Sequence, residues 1–184
     1  MTTLKSQSGT ITKDRIYVRQ VQSSDRDELI SLAREGRIFH DPWISPPTTP
    51  NSFKLYLQRT KRDDHVGLLL CLKTTDQIVG VININNIIRG TFLSASLGYY
   101  VAKQHAAQGY MLEGLELVKQ YAFQELGLHR IEANIQPDNE RSKNLVIRAG
   151  FLREGNSRAF LFINGAWRDH ERWTVIDHRS SLST

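Results

Sequence analysis

A strand that passes directly into a helix through a turn of small residues leaves a chain few architectures to adopt. Such a junction lies at Val101-Ala-Lys-Gln-His-Ala-Ala-Gln-Gly-Tyr-Met111. An apolar, strand-like run over 93–102 leads into it. After it, Met111, Leu115, Val118, Ala122 and Leu126 repeat at helical spacing, with Glu113, Glu116, Gln120 and Gln124 on the opposite side. The spacing predicts a helix over 108–126, ended by Gly127. Small residues at Ala106, Ala107 and Gly109 let an anion come within hydrogen-bond reach of the first helical N–H groups, which have no partner inside the helix. The helix dipole adds positive potential at the same end, so the junction reads as a cradle for a diphosphate. Strand–turn–helix junctions also need small residues for steric reasons alone, so the rest of the chain has to decide.

The 184 residues suffice for one domain with a closed core, and the 40% hydrophobic and 23% charged content is that of a soluble globule. The expected division is a flexible N-terminus over 1–14, one domain over 15–177 and a flexible C-terminus over 178–184. No apolar run approaches the roughly 20 residues of a membrane span, and the polar start carries no secretory h-region, so a cytoplasmic protein is expected. The single cysteine, Cys71, lies in an apolar run and reads as a buried core thiol, which excludes a disulfide framework. Six histidines show no metal-ligand spacing, and no metal is expected. The net charge of +5 suits an anionic ligand without choosing one; direct nucleic-acid binding would rest on that charge alone and is not expected.

Strand alternation from Arg15 is followed by a capped amphipathic helix from Ser23. The segment His40-Asp-Pro-Trp-Ile-Ser-Pro-Pro-Thr-Thr-Pro50 holds four of the five prolines and predicts a rigid loop, with a helix over 52–62 behind it. Runs at 66–72, 78–88 and 93–102 predict an antiparallel meander. A strand at 130–136, a helix from Pro137 to Ala149, and two strands joined at Asn164-Gly165 complete the chain.

This β-α-α-β-β-β-α-β-α-β-β order, with the cradle after the fourth strand, resembles the GNAT superfamily of acetyl-CoA-dependent N-acyltransferases over residues 15–176. Within it, Ala122-Phe-Gln-Glu-Leu-Gly-Leu-His-Arg-Ile-Glu-Ala-Asn134, Pro137-Asp-Asn-Glu-Arg-Ser-Lys-Asn144 and Ala149-Gly-Phe-Leu-Arg-Glu-Gly155 resemble the RimJ/RimL-type ribosomal-protein N-terminal acetyltransferases. The resemblance implies an α/β (α+β) fold: a mixed, mostly antiparallel seven-stranded sheet flanked by helices and splayed between strands four and five. The family cradle reads Gln/Arg-x-x-Gly-x-Gly/Ala with an arginine before the first glycine. Gln104 and Gly109 match, whereas Ala106 stands for the arginine and Ala107 for the glycine. Alanine permits close approach provided its φ stays negative, and the missing arginine removes a charge from the diphosphate side.

The resemblance implies acetyl-CoA as cofactor, held by Gln104, Ala106, Ala107, Gln108, Gly109, Tyr110 and Met111 through main-chain amides. It also implies that the pantetheine arm pairs in the strand gap, with the carbonyl oxygen on a backbone N–H at Tyr100 or Val101. Ser142 is then the proton donor to the thiolate, with Asn139 holding the arm; on residues alone, Asp138 or Asn139 caps the helix and Ser142 faces solvent. A carboxylate on the fifth strand orders the base water in related enzymes. That position is Asn134 here, which has no basic group, and Glu132 on the same face is either the base through a water or a solvated strand residue. The implied reaction is direct transfer to a primary amine in a ternary complex, the acceptor being a protein N-terminus such as that of a ribosomal protein. A polyamine, aminoglycoside or amino acid is the alternative acceptor, and a weak acetyl-CoA-binding module the alternative role. No membrane partner is expected; a homodimer through the last strands is compatible with the resemblance.

Overall fold

The runs at 66–72 and 78–82 are apolar at consecutive positions, a pattern that suits a strand covered on both faces, and they occupy the middle of the sheet. The computed structural model describes residues 11–178. Its eight strands are β1 (Ile11–Thr12), β2 (Ile16–Gln20), β3 (His65–Leu72), β4 (Ile78–Ile88), β5 (Ser94–Val101), β6 (Arg130–Ile135), β7 (Leu152–Ile163) and β8 (Ala166–Ile176). They lie in the order β1-β2-β3-β4-β5-β6-β8-β7, antiparallel throughout except for the parallel β5–β6 pair. Seven of them are the expected mixed sheet. The extra strand is β1: Ile11 and Thr12, expected in a flexible terminus, pair with Val18 and Tyr17. The remaining expected tails, 1–10 and 179–184, lie outside the described residues.

Helices α1 (Arg26–Glu35) and α3 (Pro50–Arg59) cover one face, packing Leu29, Ile30, Phe53 and Tyr56 on Leu69, Cys71, Ile78 and Val81. Helices α4 (Tyr110–Gln120) and α5 (Glu140–Arg148) cover the other, where Met111, Leu115, Val118 and Val146 meet Leu68, Leu70, Val79 and Ile82. Cys71 is fully buried between β3 and the first helices, and burial pushes its thiol pKa up, away from the reactive thiolate.

Three boundaries differ from expectation, each for a local reason. Helix α3 begins at Pro50, not Ser52, because proline's fixed φ suits the first helical position and Thr49 caps it by accepting from the Ser52 amide. A short helix, α2 (Arg37–His40), precedes the proline-rich loop. The long helix starts at Tyr110, since Gly109 at φ 85° is not helical, and its expected last turns form a π-turn over Tyr121–Glu125. The β7–β8 hairpin turns at Asn164 and Gly165 with φ of 49° and 80°, the two left-handed residues of a type I′ turn.

One feature of the sheet positions the site. Pairing between β5 and β6 covers only Ser94–Leu97 against Arg130–Ala133. Beyond it β5 continues to Val101 and β6 to Ile135 without a shared ladder. The two strands part at the sheet centre, as expected between the fourth and fifth of seven.

Candidate active site

A cleft of about 660 Å³ occupies this parting. The alternation of antiparallel hydrogen bonding decides which main-chain groups face it. The Ala102 amide donates to Val79 O on β4, and Tyr100, two residues earlier, lies opposite Val81 with its carbonyl also turned to β4. Val101 between them, and Tyr99 on the other side of Tyr100, therefore direct their amides into the gap. Of the two expected positions for the carbonyl-binding N–H, Val101 has the exposed edge and Tyr100 is committed to the ladder.

The cradle follows. Lys103–His105 form a single 3-10 turn, Ala106 is extended, Ala107 has φ 60° and Gly109 has φ 85°. Alternating backbone hand turns successive amides to one side, the geometry of an anion-binding nest. His105 and Ala106 donate to Ala102 O and Lys103 O, while Leu112 and Glu113 donate to Gly109 O. Between these, the amides of Ala107, Gln108, Gly109, Tyr110 and Met111 have no acceptor among the described residues. Ala107 departs from expectation here: its φ is positive, so this alanine holds a conformation that favours glycine. The loop is fastened from outside by Arg15, whose Nη2 donates to Gln108 O at 3.0 Å and whose Nε donates to Glu113 Oε1 at 2.7 Å. Its guanidinium also stacks 4.4 Å from the Tyr110 ring centroid. Since Glu113 pairs with Arg15, no net charge replaces the arginine missing at Ala106. Gln108 Nε2 donates to Gln104 O at 2.9 Å and closes the turn.

On the other wall, Asn139 caps α5 by accepting from the Ser142 amide at 3.1 Å. Ser142 does not face open solvent: its hydroxyl shares a 2.6 Å hydrogen bond with the Tyr99 phenol, and both residues line the cleft. Burial pushes the Tyr99 pKa up to about 12, with the Ser142 bond acting the opposite way, so the phenol stays protonated. Tyr100 points to the other face, edge-on to His40 at 5.3 Å, and burial raises its pKa strongly.

Glu132 is not among the residues lining the cleft. Its Oε1 accepts from Arg130 Nε at 2.9 Å, within a network in which Arg130 also binds Glu154. Asn134, two residues further, does line it, with a buried Oδ1 that has no partner among the described residues.

Helix α2 supplies Phe39 and His40 to the cleft, and the proline-rich loop behind it supplies Trp43 and Ile44. Asn164 at the hairpin tip holds that loop from behind, donating to Asp41 Oδ1 at 3.3 Å and Pro42 O at 3.2 Å. Trp167, by contrast, is exposed on the hairpin and Trp173 is buried in the core. The cleft contains no aspartate or glutamate among the described residues; its ionisable side chains include Arg141, Arg148, His40 and His170. Sequence reasoning missed Tyr99 and both buried histidines. Six histidines without spacing gave no signal, because what sets His40 and His170 apart is burial, which lowers the pKa of each.

Residues 15–152 match the family described as Acetyltransferase (GNAT) domain. A Probable N-acetyltransferase YjcK of Bacillus subtilis is 33% identical over 170 residues, 88% of this chain and 94% of that protein. The [Ribosomal protein uS5]-alanine N-acetyltransferase of Escherichia coli is 33% identical over 168 residues, 87% of each chain. Among solved structures, Mycobacterium smegmatis RimJ in complex with CoA-disulfide superposes with a TM-score of 0.83 at 23% identity, covering 92% of this chain and 88% of that one.

Proposed function

From this chain's membership of the GNAT acetyltransferase family, which makes it an N-acetyltransferase, we propose that it transfers the acetyl group of acetyl-CoA to the α-amine of a protein N-terminus. The observation that carries this reading is the chemistry of the two cleft ends: among the described residues, five amides at one end have no acceptor and no carboxylate lines the other. Acetyl-CoA supplies an activated acyl group on a thiol leaving group. The amides of Ala107 to Met111, with the α4 dipole behind them, suit its diphosphate. The buried Asn134 Oδ1 lacks a donor and suits a pantetheine amide N–H. Asn139, its Oδ1 engaged as a cap, offers its amide nitrogen to the same arm.

Chemistry then needs charge stabilisation and proton traffic. The Val101 amide donates to the carbonyl oxygen as negative charge develops, from an already ordered central strand that needs no rearrangement. Ser142 delivers a proton to the departing sulfur and regains one from the acylated nitrogen, while the Tyr99 phenol holds its hydroxyl in register. Glu132, already paired with Arg130, is a poor candidate for the base.

A polycationic acceptor binds where carboxylates neutralise it, and Arg141 and Arg148 on the cleft wall oppose it instead. A peptide N-terminus with neutral or acidic following residues suits this wall. The Escherichia coli relative, named for alanine acetylation on ribosomal protein uS5, is consistent with such an acceptor. The test is CoA release from acetyl-CoA with a panel of peptides beginning in Ala or Ser, with spermidine, and with an aminoglycoside. Peptides turning over fastest is the expected result. Faster turnover of spermidine would refute the acceptor, and tight acetyl-CoA binding without any turnover would favour a binding module.

A further inference from the structure

The reaction strips two protons from the incoming ammonium, and the cleft has no carboxylate among the described residues to take the first. A base has to be found among its neutral side chains. His170 lies on β8, next to Glu171, which pairs with Ile135 at the last position of β6. It therefore flanks the end of the strand whose other side opens towards Val101. It lines the cleft yet is only 2% exposed.

Its orientation is fixed by two contacts. Nδ1 lies 3.0 Å from Arg168 O, and since a carbonyl only accepts, Nδ1 carries the proton and Nε2 keeps its lone pair. The Phe160 ring packs edge-on at 5.8 Å between centroids and limits rotation. A backbone carbonyl on one ring nitrogen and a basic lone pair on the other is the arrangement that general-base histidines require. The alternatives are weaker by geometry. His105 stands in the 3-10 turn at the cradle end of the cleft, edge-on to Tyr110 at 5.9 Å; His40 turns Nε2 against Gly36, where an added Cβ would approach it to 2.7 Å; and Asn134 has no basic atom.

We propose that His170 Nε2 is the general base that accepts a proton from the acceptor amine. This inference rests on the acetyl-transfer reading. The balance is complete. One ammonium proton passes to Nε2, directly or across one water, and on to solvent. The nitrogen–carbonyl bond forms and the carbon–sulfur bond breaks, and the second nitrogen proton replaces the one delivered to the thiolate from Ser142. Burial favours the neutral imidazole that this role needs, against the bond to Arg168 O and the charge of Asp169, which favour the cation. Ser157 and Phe160 of β7 and Gln136 after β6 bring no charge; Arg141 and Arg148 on the cleft wall disfavour a second cation.

The test compares wild type with His170→Gln, which keeps a polar side chain of similar reach. At pH 7 the variant is expected to lose about 100-fold in kcat, with little change in the KM of peptide or acetyl-CoA. The decisive readout is pH. As pH rises past the peptide amine's own value, about 7.7–8.0, solvent removes the proton unaided and the deficit narrows. A merely structural role gives a deficit independent of pH, and that result, or unchanged turnover, overturns the assignment while leaving acetyl transfer intact. Wild-type protein inert towards every peptide overturns both. Should the variant not fold, 15N chemical shifts of wild-type His170 decide: neutral with the proton on Nδ1 at pH 7 supports the role, and imidazolium or an Nε2-protonated ring refutes it.

Discussion

Replacing Ala107 by glycine should stabilise this protein, although glycine is ordinarily the less stable choice. Ala107 has φ 60°. An L-residue in this left-handed region carries a penalty of about 1–2 kcal/mol from Cβ against the following carbonyl. Glycine removes the penalty and adds about 0.4–1 kcal/mol of unfolded-state entropy. The balance is a gain near ~0.5–1 kcal/mol, or a rise of roughly 1–4 °C in Tm for a domain of this size. The neighbouring Ala106→Gly is the control: at φ −65° and ψ 152° alanine is relaxed, and only the entropic loss remains. Urea and thermal unfolding of both variants, each without and with saturating acetyl-CoA, make the comparison. If Ala107→Gly loses as much stability as Ala106→Gly, the backbone at 107 is not left-handed and the alternating-hand account of the cradle fails.

Gly109→Asp should weaken acetyl-CoA binding at least about tenfold by calorimetry, since residue 109 has φ 85° and its Cβ would lie 3.2 Å from Arg15 Nη2, with a new negative charge beside the diphosphate. Ser142→Ala should lower kcat about 100-fold while leaving acetyl-CoA affinity nearly unchanged, and equal turnover would remove it as proton donor. The Arg130 guanidinium, with Thr174, holds the Glu154 carboxyl down to about 2, from an ordinary 4.5. A depressed folded-state value contributes stability above about pH 4.5 that is lost as pH falls towards 2. Glu154→Gln should therefore be less stable than wild type at pH 6 and lose less on acidification from pH 5 to 2. A parallel acid-unfolding curve would contradict this.

The order of elements along the chain and the small-residue turn were legible from local signals, namely strand-like runs, Asn164-Gly165 and small residues before an amphipathic helix, whereas the mixed sheet and its splay followed from the family resemblance. The start of α3 was misread because Pro50 serves two local codes, loop breaker and first helical residue, and only the cap by Thr49 decides between them. At Ala107 the residue type pointed away from the conformation the loop imposes; closure by Arg15 and Gln108, from far and near in the chain, overrides alanine's preference. The choice between Tyr100 and Val101 depends on which edge each amide faces, a matter of register that opens only once β4 is paired. Tyr99 and His170 were invisible for a related reason. Their roles depend on a bond to Ser142, 43 positions away, and on burial at the end of another strand.

The bracing of the Pro42 loop by Asn164 separates two inheritances within one cleft. The half proposed to hold the acyl donor is drawn from a nearly continuous stretch of chain, β5 through α5. The half proposed to face the amine is assembled from segments some 120 positions apart, joined by a pair of polar contacts at a hairpin tip. On that reading, a substitution at the tip loosens the acceptor wall and leaves the donor wall as it is.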